Sequence, residues 1–245
     1  MGDGGRDARP RGVEAVFGAG ILTGMLTIER PSPGSAEEFH HREVPALDDV
    51  ALWWFEPERP ALVLGSTQSI DIVDTERCRE LGIDVVKRRS GGGVVYVSNH
   101  HTLWADVVMP STHPRWHHDI GRASEWMGGI WQAALADRSL TMHRGAFVAS
   151  EWSRTICFAG RGPGELFDSS GAKVVGISQR RTREWVRFQC ALSLRWEPEV
   201  LVETLKVDGL TSAPLIGVGA TLVPDVDLER IRESVESALE SAISN

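Results

Sequence analysis

Lys87-Arg-Arg-Ser-Gly-Gly-Gly-Val-Val-Tyr96 is the stretch on which the reading of this chain turns. An apolar run precedes it and another closes it, so the segment reads as a loop between two strands. Glycine admits positive φ and lets a ligand come close to the main chain. Successive N–H groups in such a turn form an anion-binding hollow, and arginine adds a planar fork suited to phosphate or carboxylate. A plain glycine turn with solvated arginines is the alternative reading.

Working outward, Ala61-Leu-Val-Leu64 reads as a strand ending at Gly65, Thr75 to Leu81 as a short helix stopped by Gly82, and Ile83 to Val86 as the strand that feeds the loop. Val94 to Val97 and Leu103 to Met109 suit strands, with a hairpin pairing expected between them. His118 to Asp137 has helical spacing, with Ile120, Ala123, Met127, Ile130, Trp131, Ala134 and Leu135 near one face. Gly128 and Gly129 weaken that helix. Strands are expected near Arg154 to Phe158, Lys173 to Ser178 and Arg187 to Leu194. A last helix opens after Pro224-Asp225 and carries the stripe Leu228, Ile231, Val235, Leu239 and Ile243. Helices and strands are mixed rather than strictly alternating, which predicts an α+β fold with a mixed, largely antiparallel sheet flanked by helices.

The chain has 245 residues and a net charge of −8, with ordinary apolar content. It is long enough for a core of normal size without disulfides or metals. Its acidity argues against a nucleic-acid binder, which needs clustered positive charge. Lys87, Arg88 and Arg89, and Arg180, Arg181, Arg183 and Arg187, nevertheless form two dense basic clusters. Brought together, they would make a positive site on a negative body. Cys78, Cys157 and Cys190 are distant and odd in number, which indicates neither a zinc site nor a disulfide framework and suits a reducing cytoplasm. No apolar run is long enough for a membrane span. Residues 1–12 read as a disordered tail, and residues 13–245 as a single domain.

A second stretch is Gly171-Ala-Lys-Val-Val-Gly-Ile-Ser-Gln-Arg-Arg181. Val174, Val175 and Ile177 imply a well-buried strand, so Lys173 is expected to face a ligand anion rather than solvent. Arg88-Arg89-Ser90-Gly91-Gly92-Gly93, the Lys173 to Arg181 strand, and Val63-Leu64-Gly65-Ser66-Thr67-Gln68 stand in an order that resembles the lipoate–protein ligase and octanoyltransferase family. The resemblance covers roughly residues 50 to 196. It implies a biotin/lipoate ligase-like, class II synthetase-like catalytic domain with the ligand in a groove across the sheet. By the same resemblance Arg88, Arg89, Ser90, Gly91, Gly92, Gly93, Gln68, Gly176 and Ser178 bind substrate or nucleotide, and Lys173 touches the activated acyl carbonyl. A lysine of a lipoyl carrier domain is the implied acceptor.

Two chemistries fit the resemblance. In the ligase reading, lipoate attacks the α-phosphate of Mg-ATP, and the carrier lysine displaces AMP from lipoyl-AMP. In the transferase reading, no cofactor is needed. Cys157, in Ile156-Cys-Phe-Ala-Gly160 followed by Gly162-Pro-Gly-Glu-Leu166, takes an octanoyl group from acyl carrier protein, with Lys173 or Arg161 lowering the thiol pKa. Cys157 as a buried small hydrophobe is the plain alternative.

The chain departs from the family pattern at Val97-Ser-Asn-His-His101, where His-Asp-x-Gly-Asn is usual, and at Cys190-Ala191, where His-Gly is usual. These departures motivate a third reading, a non-catalytic acyl or nucleotide binder. Residues 197–245 are too few for the C-terminal accessory domain of large lipoate ligases, which suggests a separate accessory subunit or a transferase that needs none. The histidine pairs His40-His41, His100-His101 and His117-His118 read as solvated or capping residues rather than metal ligands.

Overall fold

The computed structural model describes residues 21–23 and 26–244. The expected tail over residues 1–12 lies outside them. Two sheets form the frame. The larger has eight strands in the order β1-β2-β3-β7-β11-β10-β9-β8, and the smaller has three in the order β5-β4-β6. The strands are β1 Ile21–Thr23, β2 Leu26–Gly34, β3 Val50–Pro57, β4 Ala61–Leu64, β5 Asp84–Lys87, β6 Val95–Val97, β7 Thr102–Pro110, β8 Thr141–Met142, β9 Leu166–Phe167, β10 Lys173–Arg181 and β11 Trp185–Ser193. The helices are α1 Ala36–His41, α2 Thr75–Glu80, α3 Ile120–Ala134, α4 Pro198–Thr204 and α5 Leu228–Ser244. Among the strands of the described residues, only the pairs β2/β3 and β4/β5 run parallel. The fold class is therefore the expected one, α+β with a largely antiparallel sheet.

The side-chain period of two sorts residues between layers. On β3, Val50, Leu52 and Trp54 pack with Met127 and Trp131 of α3 and with Val235 and Leu239 of α5. Ala51, Trp53 and Phe55 point the other way, into a second core with Phe39 of α1 and Ala61, Val63 and Val97 of the small sheet. The small sheet turns Leu62 and Leu64 outward onto α2 and α4, where Cys78, Leu201 and Leu205 complete a third core. The chain is thus layered: α3 and α5, the large sheet, the small sheet with α1, then α2 and α4. Being covered on both faces, β7 is buried at all nine positions and shows no polar alternation.

Several expectations are corrected. β6 and β7 do not form a hairpin. β6 pairs with β4 in the small sheet, while β7 pairs with β3 and β11 in the large one. Residues 154–158 make a turn and a short 3-10 segment, Cys157–Ala159, with a single bridge from Ile156 to Val94. Ile120 lies on the helical stripe but is 62% exposed, at the border of an open groove rather than in the core. Arg187 belongs to no open basic patch. It is fully buried, paired with Asp106, and donates to Phe39 O and Arg42 O, which fixes α1 against β11. No described helix is long and apolar enough to cross a membrane.

Candidate active site

The glycine loop crosses the seam between the two sheets as it runs from β5 to β6. Arg88 builds the loop from inside. Its guanidinium is buried and donates to Gly91 O and Gly93 O, both at 2.9 Å. Gly92 takes φ +106°, a conformation that glycine adopts without strain. Gly93 is required for contact: a Cβ there would lie 2.7 Å from Cys157 N and Ile156 C. Gln68 tethers the neighbouring turn, accepting from Gly65 N at 3.0 Å and donating to Thr155 O at 3.0 Å. Arg89 points outward and pairs with Glu43 at 3.2 Å. Ser90 Oγ donates to Gln189 Oε1 at 2.6 Å and lies 3.2 Å from Ser178 Oγ.

Lys173 opens β10 with its side chain fully buried. Its Nζ lies 2.8 Å from Glu165 Oε2 and donates to Cys157 O at 2.9 Å. The anion opposite this lysine is thus a protein carboxylate. Glu165 Oε2 also accepts from Gly162 N at 2.6 Å, which anchors the Gly-Pro-Gly turn. A buried charge needs such partners, since an unpaired ion in the interior is costly. Gly176 lets Phe158 close over β10; a Cβ there would meet the ring at 3.3 Å.

Cys157 is the meeting point. Its N donates to Val94 O at 2.9 Å, its O accepts from Lys173, and its Sγ lies 3.8 Å from Arg88 Nη2. The cation beside the thiol is therefore Arg88, rather than Lys173 or Arg161. Lys173 reaches the backbone of Cys157, and Arg161 turns away to Gly171 O and the Phe167 ring. Two clefts open on either side of Cys157, and Ile177 and Ser178 border both. The inner cleft lies between the sheets. It is mostly apolar, walled by Val95, Val97, Trp104, Phe158 and Ala191, and holds about 40 Å³. The outer groove is wider, about 300 Å³, and runs past Gly91–Gly93, Phe147, Glu165 and Gln179. A larger groove of about 610 Å³ lies between α5 and the C-terminal end of α3, and none of the candidate side chains borders it.

Sequence reasoning missed three residues here. His40, expected to be solvated, is buried at the inner cleft, and Gln189 Nε2 lies 2.9 Å from its Nδ1. Burial first, then Arg88, Arg187 and His41, push its pKa well below the usual imidazole range. It is therefore a neutral ring at pH 7. Gln189 links it to Ser90. Glu165 was visible only as part of the Gly162 to Leu166 segment. Cys190 is buried in the core, with its pKa driven far up by burial. His101 lies away from the clefts, bridging Ser98 Oγ at 2.7 Å and Glu197 Oε2 at 3.0 Å.

The sequence pattern of the lipoyl protein ligase A/B catalytic domain matches residues 34–240. No curated protein matches the chain. Among solved structures, a bi-partite lipoate protein ligase of Thermoplasma acidophilum superposes with a TM-score of 0.68 at 18% identity, covering 91% of this chain and 85% of that one. A putative lipoate protein ligase of the same organism with bound lipoic acid gives 0.66 at 18% identity, over 89% and 84%. A lipoate-protein ligase A bound with ATP gives 0.66 at 18% identity, over 91% and 86%. At these identities the likeness is one of fold.

Proposed function

This chain belongs to the lipoyl protein ligase A/B catalytic domain family, and from that membership we propose that it attaches a lipoyl or octanoyl group to a lysine of a lipoyl carrier domain. The observation that carries the reading is the pair of clefts meeting at Cys157, a narrow apolar one and a wider one bordered by the glycine loop, with Lys173 Nζ bonded to the Cys157 carbonyl. An acyl chain suits the inner cleft, and its activating group suits the outer groove. The inner volume is little more than one water molecule's share of about 30 Å³, so side chains there must part to admit a chain. In the transfer step the neutral amine of the carrier lysine attacks the acyl carbon. The new C–N bond forms, the bond to the activating group breaks, and the amine proton is released. Lys173, exchanging Glu165 for the carbonyl oxygen, is the group placed to offset charge developing there.

We take adenylation as the first way to activate the acyl group. Lipoate attacks the α-phosphate of ATP, pyrophosphate leaves, and lipoyl-AMP is the acyl donor. The shared fold with an ATP-bound ligase supports this, as does the glycine loop along the outer groove. No group of three or more His, Cys, Asp or Glu among the described residues suits a resident metal, and the groove's carboxylate, Glu165, is taken by Lys173. On this route Mg2+ is part of the nucleotide substrate. The described likeness to a bi-partite ligase supports a separate partner subunit for this route.

One observation favours a second way. Cys157 Sγ lies at the junction of the two clefts, 3.8 Å from Arg88 Nη2. On that route Cys157 displaces the thiol of octanoyl-acyl carrier protein and holds the chain as a thioester. The deciding experiment offers an apo lipoyl domain with either lipoate plus Mg-ATP or octanoyl-acyl carrier protein, and reads the intact mass of the domain. The donor that adds mass identifies the route. Full activity of Cys157→Ser removes the thioester route, and full activity of Lys173→Ala removes the proposed site. Ligand binding without transfer from either donor identifies a non-catalytic relative.

A further inference from the structure

Beyond residue 175, β10 is an open edge. β11 pairs with one side of it over Val175–Arg181, whereas β9 meets the other side only at Lys173 and Val175. No other strand covers Gly176 to Arg181 among the described residues. Ile177, Ser178 and Gln179 of this edge form a wall of the outer groove. The strand leaves the groove through Arg180 and Arg181, and Arg183 follows in the turn to β11.

The three arginines share an electrostatic peculiarity. Arg30, Arg59, Arg79 and Arg144 have a carboxylate within ion-pair distance, whereas arginines elsewhere without such a partner among the described residues, such as Arg122 and Arg154, stand singly rather than in a cluster. Among the described residues, no carboxylate comes that close to Arg180, Arg181 or Arg183. Arg180 sits 5.1 Å from the Trp185 ring and Arg181 4.4 Å from the Trp116 ring, so both are braced on indole faces. Burial, followed by repulsion from Arg89, lowers the pKa of Arg180. Positive charge with no ion-paired carboxylate thus gathers at the mouth of the groove on a chain of net charge −8, offset only at longer range by Glu43 and Asp119.

Both activation routes need a protein that delivers a lysine into this groove. We infer that the free edge of β10, with Arg180, Arg181 and Arg183, is where an acidic, lysine-bearing acceptor domain docks, laying a strand along Gly176–Arg181. Two properties of the surface select that occupant. Acidic side chains relieve the arginines, and an extended segment satisfies the vacant N–H and C=O groups of the edge. Continuity with the groove then brings the acceptor lysine to Cys157 and Lys173. This inference rests on the acyl-transfer reading above.

The test is the double variant Arg180→Glu/Arg183→Glu, assayed with saturating donor against an apo lipoyl domain of net negative charge and, separately, against hydroxylamine. Hydroxylamine captures the activated acyl group as a hydroxamate without docking. The expected result is a KM for the domain raised about tenfold or more, a kcat within about twofold, and an unchanged hydroxylamine rate. The wild-type KM should rise as salt goes from about 50 to about 300 mM, and the variant's should not. Arg59→Glu, at the far end of β4, should behave as wild type. An unchanged KM in the double variant overturns the proposal, and so does an equal loss with both acceptors. Tighter binding of single-stranded RNA than of the domain, by the wild type at about 150 mM salt, overturns it as well. If the wild type transfers to no acceptor, the functional reading has failed and docking is judged by calorimetry. Binding of the apo domain that the double variant weakens about tenfold supports the surface, and no binding removes it.

Discussion

The three glycines of the loop look equivalent in the sequence and are not equivalent in the fold. A Cβ on Gly91 meets nothing within 4 Å, whereas one on Gly93 strikes the backbone of Ile156 and Cys157. Gly93→Ala should therefore cost about 1–3 kcal/mol, as forced overpacking does, and displace Cys157 and the Lys173 contact with it. Gly91→Ala should leave stability within about 0.5 kcal/mol of wild type. Urea unfolding of both variants checks the contrast. Glu165 is a similar case. With Lys173 held 2.8 Å away and both side chains buried, Glu165→Ala strands an ammonium and should cost about 3–5 kcal/mol. Joint replacement, Glu165→Leu with Lys173→Met, should recover most of that loss, although transfer activity should not return. His40 supplies the pH dependence. Its folded pKa lies well below the usual imidazole range, so the unfolded chain binds the proton first as the pH falls. Its contribution to stability is complete above about pH 6.5 and declines below it, by at most about 1.4 kcal/mol per pH unit. His40→Gln should flatten the denaturant midpoint between about pH 5 and 6.5. An unchanged slope in that variant would sink the assignment of a buried neutral ring.

Among the elements, α3 shows how a local cost can serve a tertiary contact. Gly128 and Gly129 both weaken a helix by propensity, yet only Gly128 is needed. A Cβ there would lie 2.1 Å from Gly164 O, while one on Gly129 meets nothing. Gly128→Ala should push α3 off the Gly162–Glu165 turn and lower the melting temperature, at about 1–3 kcal/mol. Gly129→Ala should raise it, by up to about 1 kcal/mol. The same distinction marks what the sequence can express. β4, β5, α2, β10, β11 and the stripe of α5 follow from periodicity and stop signals, and all form near their expected limits. β3 does not stand out, because a strand covered on both faces lacks polar alternation, and β2 does not because Pro31 and Pro33 interrupt it. The failed β6–β7 hairpin has a related cause: an apolar run shows that a strand is buried but not which sheet buries it. Residues 154–158 carry strand-forming side chains, but close approach to Gly93 turns them into a bend. At the site, the glycine loop and the Lys173 strand are legible because each is contiguous. His40, Gln189 and Glu165 are not, since their roles depend on residues brought near from elsewhere in the chain.

At the scale of the whole molecule, the candidate site is a seam. Its inner cleft takes one wall from the small sheet, through Val95 and Val97, and the other from the large sheet, through Gly176 and Ala191. Polar links cross the same seam, from Ser90 to Gln189 and to Ser178. A ligand lodged there touches both sheets at once and binds only while they are joined. Its binding energy therefore adds to the cooperative stability of the layered fold. For a nonhydrolysable acyl-adenylate mimic at about 100 times its Kd, that addition is about 2.7 kcal/mol. For a chain of this size it corresponds to about 5–10 °C in Tm. A melt monitored by tryptophan fluorescence should shift as one transition, because Trp104 borders the cleft while Trp54 and Trp131 lie across the large sheet in the α3/α5 core. Lipoate alone should shift it less, since it leaves the outer groove unfilled. A mimic that binds by calorimetry yet moves only part of the transition would mean that the sheets unfold separately, and that the seam is not the place where the ligand is held.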